Sequence, residues 1–151
     1  MSERLNAAKA APAGYKLMLD MEKYLHQCGL EESLIELVKM RASQINGCAF
    51  CLDMHSRDAR KNGETEQRLY VLSAWRETTL FSDRERAALE WTETLTLVSQ
   101  THAPDQAYEI AHAHFSDAEL ANLTLLIGTI NTWNRLAIGF RMPIPATVKA
   151  V

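Results

Sequence analysis

The 151-residue sequence predicts an all-α fold. Three observations point there. Apolar residues recur at helical spacing through most of the chain, Ser-x-x-Glu boxes and Asn-Gly pairs mark helix starts and stops, and no alternating stretch bounded by turn residues reads as a strand. At this length the chain is one domain, large enough to bury about two thirds of its unfolded surface. No internal repeat divides it. The expected organisation is an arm over residues 1–11, a helical domain over 12–142 and a tail over 143–151.

Residues 1–11 are Ala-rich and polar, and read as a loose arm or a frayed first turn. A first helix follows from about Pro12, a residue suited to a helix start, to Gln27. Tyr15, Met18, Leu19, Tyr24 and Leu25 form its apolar side, and Cys28-Gly29 ends it. The second helix, about Glu31 to Ile45, opens with acidic residues that suit its N-terminus and carries Leu34, Leu37, Val38 and Ile45 at helical spacing. Asn46-Gly47 stops it. The next helix begins near Cys48 and ends at Asn62-Gly63. A fourth, from Thr65 to Trp75, presents Leu69, Leu72 and Trp75, and Arg76 to Phe81 form a connector.

Ser82-Asp83-Arg84-Glu85 is a capping box, in which Ser82 and Glu85 satisfy each other's orphan N–H groups. The helix it opens runs to about Ser99, with Ala88, Leu89, Trp91, Thr92, Leu95 and Val98 inward. A shorter helix follows Pro104 and ends near His114. A second box, Ser116-Asp117-Ala118-Glu119, opens the last and longest helix, to about Phe140. That helix is apolar over most of its circumference, so it is expected to be buried on all sides as a central core helix or to meet another subunit. Asn122, Asn131, Asn134 and Arg135 interrupt the apolar run and argue against a membrane span.

Composition narrows the function. The net charge is −3, from 16 basic and 19 acidic residues, and no cluster of Lys and Arg is interleaved with aromatics, which argues against a nucleic-acid partner. Met1-Ser2-Glu3-Arg4-Leu5-Asn6 lacks the charged-then-apolar pattern of a signal peptide, so a cytoplasmic location is expected. Three cysteines, an odd number, do not describe a disulfide framework, and in a reducing compartment a Cys-x-x-Cys pair points to redox chemistry or metal.

The chemistry concentrates in Gly47-Cys48-Ala49-Phe50-Cys51-Leu52-Asp53-Met54-His55, whose spacing is Cys-x-x-Cys-x-x-x-His. On a helix, Cys48, Cys51, Leu52, His55 and Ala59 share one inward stripe, while Asp53, Arg57, Asp58, Arg60 and Lys61 face outward. His55 then lies one turn from Cys51. Cys48 stands at the helix N-terminus, where unpaired N–H groups and the dipole favour a thiolate and lower the thiol pKa from roughly 8.5 toward neutrality. Two thiols one turn apart can also close a disulfide, the chemistry of a two-electron redox site. Two blander readings stand beside this one. The cysteines could be small apolar residues on a core stripe, or Cys48, Cys51 and His55 could be three ligands of a zinc ion, although no second Cys-x-x-Cys offers the remainder.

The run from Glu36 through Ile45-Asn46-Gly47-Cys48-Ala49-Phe50-Cys51-Leu52-Asp53-Met54-His55 resembles the AhpD-like alkylhydroperoxidases of the carboxymuconolactone decarboxylase superfamily. Ala59-Arg60-Lys61-Asn62-Gly63-Glu64, the Ser82 box and Ile130-Asn131-Thr132-Trp133-Asn134-Arg135 extend the resemblance over about residues 12–142. It implies an all-α AhpD-like bundle, a homohexamer built as a trimer of dimers, and thiol-dependent reduction of hydroperoxides. It also implies a redox-active Cys48–Cys51 disulfide in place of a cofactor, and a thioredoxin-like or lipoyl-type dithiol as reductant. Cys51 would be the thiol oxidised to a sulfenic acid, Cys48 its proton donor and resolving partner, and His55 and Glu36 a proton relay. The decarboxylases of the superfamily lack the cysteine pair, which argues against their activity here. Phe50 departs from the pattern, because the fuller enzymes carry a histidine just before the second cysteine. That departure makes room for a rival reading as a thiol sensor or assembly module.

Two tensions follow. Helix-end electrostatics favours Cys48 as the lower-pKa thiol, whereas the resemblance favours Cys51 as the nucleophile, with His55 taking its proton directly or through one water. By local spacing Glu36 is an ordinary exposed residue that could pair with Lys39, and only the resemblance selects it. Of the remaining polar residues, Arg135 is expected to pair with a carboxylate or a backbone carbonyl, and Asn131 and Asn134 to satisfy neighbouring backbone. Trp75, Trp91 and Trp133 are assigned to core or interface, His26, His102, His112 and His114 to solvent or local hydrogen bonds, and Cys28 to a bystander role.

Overall fold

The computed structural model describes residues 2–145. Among them there is no strand, and nine α-helices follow in order: α1 (Ala7–Ala10), α2 (Pro12–Leu25), α3 (Glu32–Asn46), α4 (Ala49–Lys61), α5 (Glu66–Val71), α6 (Asp83–Thr96), α7 (Val98–Thr101), α8 (Asp105–His112) and α9 (Asp117–Phe140). A 3₁₀ segment, Leu72–Glu77, continues α5. The all-α expectation holds. No described helix is long and apolar enough to cross a membrane.

The centre of the bundle is α3, which packs on α4, α6 and α9. Every residue from Leu34 to Met40 is buried, including Glu36 and Lys39. Leu34, Ile35 and Val38 join a core with α6, α8 and α9, while Leu37 and Met40 pack on Ala59, Leu69, Leu72, Trp75 and Phe81. A third cluster gathers Ala42 of α3, Cys48 and Cys51, and Ile130 and Ala137 of α9. The thiols therefore sit where three helices meet.

The last helix is the element whose environment differs from expectation. One face of α9 is buried through Leu123, Leu126, Ile127, Ile130 and Asn134, but Ala121, Leu125, Gly128, Thr132, Arg135 and Gly139 are exposed, with Leu125 at 44% and Ile138 at 45%. Those exposed positions follow a 4-3-4-3-4 spacing and make a continuous stripe. Of the two readings given for this helix, burial on all sides within one chain is not what the fold provides.

Local breaks explain the smaller differences. Asn6 caps α1 by accepting from the Lys9 N–H, and the Arg4 N–H donates to the Phe140 carbonyl, so the arm is tied to the end of α9. The fourth helix tightens into the 3₁₀ segment after Val71, with Ala74 outside helical φ/ψ. The helix opened by Ser82 breaks at Leu97 before the short α7. Both capping boxes form as their sequences require. Leu19 and Tyr24, expected on the apolar side of α2, are about half exposed; Met21 and Leu25 are the residues of α2 that reach the main core, and Leu19 lines the thiol-bearing groove. The proposed tail begins at residue 143, and residues 146–151 lie outside the described part.

Candidate active site

Gly47 sets the register of the site. It ends α3 in the left-handed region, φ 68°, and its N–H returns to the Gln44 carbonyl. The chain turns there and presents Cys48 as the N-cap of α4. Cys48, Cys51, His55 and Ala59 are buried along one stripe of α4, as the spacing predicts, while Arg57, Arg60 and Lys61 are exposed.

The two sulfurs lie 2.9 Å apart, within hydrogen-bonding distance, and both are free thiols. At that separation the first proton leaves the pair easily and the second does so with difficulty. Cys48 carries the first charge. The Cys51 thiol beside it lowers its pKa, burial opposes this, and the Cys51 and Phe50 backbone and the Asn134 amide lower it further, to about 7. The neighbouring Cys48 thiolate, then burial, push Cys51 well above the ordinary thiol range. The lower-pKa thiol is thus Cys48, and the first cause is the neighbouring Cys51 thiol.

The sulfurs open on different cavities. Cys51 lines one of about 410 Å³ whose apolar walls are Tyr15, Leu19, Phe50, Met54, Trp133 and Met142, whereas Cys48 lines a neighbouring one with Gly47, Phe50 and Met142. His55 and Glu36 line the same cavity at 5% and 4% exposure, and the His55 Nδ1 lies 3.0 Å from Glu36 Oε2. Glu36 comes from α3 and His55 from α4, so the packing of those helices makes the pair. The imidazole–carboxylate contact implied by the resemblance is therefore present, and the exposed Glu36–Lys39 pair that local spacing allows is not. Among the described residues no hydrogen bond joins His55 directly to either sulfur.

The sequence did not single out the other end of the cavity. Lys39, 2% exposed, donates to Glu22 Oε2 at 2.6 Å, and its Nζ lies 3.3 Å from His26 Nε2. His26 Nδ1 in turn lies 2.8 Å from Glu32 Oε2. The Trp133 indole N–H donates to Glu22 Oε1, which places that tryptophan at the site instead of in a plain core. A charged residue three positions from Glu36, inside the otherwise apolar run Leu34 to Met40, was the available signal. Behind the thiols, Asn46 donates to Asn131 and Asn134, and Asn134 donates to Ser43, so both asparagines brace α3 against α9. Arg135 donates to the Asn131 carbonyl, as expected of it, and Cys28 donates to the Leu25 carbonyl away from the site.

As metal ligands, Cys48, Cys51 and His55 do not bring three donor atoms within 4.8 Å, whereas His26, Glu32 and Glu36 do. The second trio fits a cation poorly. Lys39 holds an ammonium against His26 Nε2, and that contact leaves Nδ1 as the protonated nitrogen facing Glu32.

The fold and the site define an all-α protein with a buried dithiol, one sulfur of which faces a cavity with apolar and charged walls, and an imidazole–carboxylate pair. The chain belongs to the carboxymuconolactone decarboxylase family, whose model matches residues 12–94, and it is AhpD-like. It is 48% identical over 138 residues to the uncharacterised protein YdfG of Bacillus subtilis strain 168, covering 91% of this chain and 94% of that one. The structure superposes with a TM-score of 0.92 on a protein of unknown function from Agrobacterium tumefaciens, provisionally named the antioxidant defence protein AhpD. That match has 47% identity and covers 96% of this chain and 99% of the other. An uncharacterised peroxidase-related protein from Silicibacter sp. TM1040 shares the fold at a TM-score of 0.77 and 24% identity, over 87% of this chain and 70% of its own.

Proposed function

We propose that this protein is a thiol-dependent hydroperoxide reductase. The observation that carries the reading is that a sulfur 2.9 Å from a second sulfur opens on the cavity that also holds the buried His55–Glu36 pair. In the resting dithiol the pair has lost one proton, and Cys48 is the thiolate. As Cys51 attacks the distal oxygen of a hydroperoxide, its proton passes across the short S···S contact to Cys48. The O–O bond breaks, the alkoxide leaves, and Cys51 becomes a sulfenic acid. The Cys48 thiol then condenses with that sulfenic acid, forming the disulfide and releasing water. An external dithiol, thioredoxin-like or lipoyl, supplies the two electrons that reopen it.

His55 and Glu36 take up and return protons during these steps. The apolar walls of the cavity favour an organic hydroperoxide over hydrogen peroxide. Phe50, where fuller enzymes have histidine, is one of those walls, so the relay here has a single histidine, His55, paired with Glu36. The reading carries with it a cytoplasmic homohexamer, with the exposed stripe of α9 as a surface suited to a second copy.

The test adds cumene hydroperoxide to the reduced protein under limiting dithiol and counts free thiols. Loss of two thiols per peroxide consumed is expected for the wild type, and none for Cys51→Ser. Equal peroxide consumption by both proteins would assign the chemistry elsewhere.

A further inference from the structure

We propose that Lys39 is a catalytic acid, which protonates the alkoxide expelled from an organic hydroperoxide. This proposal rests on the peroxidase reading above and extends it to the leaving group. Lys39 is almost wholly hidden, yet it lines the cavity into which Cys51 opens. Its ammonium has three N–H donors. Glu22 accepts one and His26 Nε2 is placed to accept another, and among the described residues the third has no protein partner. A buried charge held at a cavity wall by one carboxylate and one imidazole is expensive to retain unless something uses it.

The reaction has such a use. Attack by the Cys51 thiolate forms an S–O bond and breaks the O–O bond, so electrons accumulate on the proximal oxygen, and an alkoxide is a poor leaving group without a proton. In the peroxidase reading His55 and Glu36 are assigned to the sulfur side, and no residue is assigned to the oxygen that departs. Lys39 can serve that oxygen: its N–H bond breaks, the alkoxide takes the proton and leaves as alcohol, and Lys39 remains as a neutral amine. Transfer from an ammonium, with a reference pKa of about 10.4, to a far more basic alkoxide is downhill. The half-exposed His26, held by Glu32 at the rim, picks up a proton from solvent and returns it through Nε2 to the amine. Glu22, fixed by the Trp133 N–H, keeps the ammonium in place.

The experiment compares two oxidants of similar size. Cumene hydroperoxide expels a strongly basic alkoxide, and 3-chloroperbenzoic acid expels a carboxylate that needs no proton. By stopped-flow oxidation of the reduced protein, Lys39→Gln is expected to lose on the order of 100-fold with the first and no more than about threefold with the second, the range of general acid catalysis. Lys39→Arg keeps the charge and the hydrogen bonds but holds its protons too tightly to give one up, so it should show the same split. It also answers the question should Lys39→Gln not fold. Equal losses with both oxidants, or a rate restored by arginine, would overturn the proposal. A wild-type protein inert to both oxidants would overturn the peroxidase reading itself and this inference with it.

Discussion

Cys48 and Cys51 lose the first of their two protons near neutral pH, and the pH dependence of the site follows from that. With the Cys48 pKa lowered to about 7, thiolate absorbance should rise through that pH, and peroxide consumption should fall as the medium becomes more acid than pH 7. Cys48→Ser should remove the titration near neutrality, while Cys28→Ser should leave it in place. Glu36 is the complementary case. Glu36→Gln keeps the shape of the contact but takes the negative charge from beside His55, and the thiol oxidation rate is expected to drop by about 10- to 100-fold in stopped-flow measurement. The stripe of sulfurs and imidazole was legible in the sequence because it lies within one helix, where spacing fixes direction. Glu36 was legible only through family resemblance. Lys39 was legible only as a charge inside the run Leu34 to Met40, and its partners were not, because Glu22 and His26 lie 17 and 13 residues away, in α2 and at its C-terminal cap.

At the scale of elements, junctions decide where the side chains point. Gly47→Ala forces an L-residue into the left-handed region at φ 68°, which is expected to cost about 1–2 kcal/mol in urea unfolding and to misplace Cys48 as the cap of α4. Ser82→Ala, away from the site, should cost about 1 kcal/mol with no effect on thiol reactivity. Glu93 of α6 clamps three elements, accepting from Arg76, from the Trp75 indole and from Arg41. Burial pushes its pKa up, and those three donors more than reverse the effect, so the native carboxyl sits below its usual 4.5. Its contribution to stability is complete above pH 4.5 and is lost as the pH falls through the lower native value, so Glu93→Gln should reduce the steepness of acid unfolding. Capping boxes and Asn-Gly stops were readable because they act locally. The break after Val71 was not, since the contact that accompanies it, from the Trp75 indole to Glu93, is made to a residue 18 positions on, in α6.

For the whole molecule, hydropathy pointed to the wrong centre. The most enclosed helix is α3, whose charged residues are satisfied by partners on other helices, so its sequence looks more polar than its surroundings are. The longest apolar helix, α9, instead leaves a stripe from Ala121 to Gly139 uncovered. If that stripe seats a second copy, light scattering should give a multiple of the 17.0 kDa chain mass, and Leu125→Glu should lower it without altering far-UV dichroism. A wild-type mass equal to one chain would remove the assembly from the reading.

Trp133 has a practical consequence at this scale. Of the three tryptophans, it is the one whose ring lines the Cys51 cavity, with its N–H on Glu22 and its edge against Tyr15. Entry of a molecule, or a change in the charge that Glu22 feels, should alter the emission of that indole, while Trp75 and Trp91 supply a constant background. The protein thus carries an unlabelled fluorophore beside its sulfurs, and a Trp133→Phe variant is the blank against which each turnover can be watched.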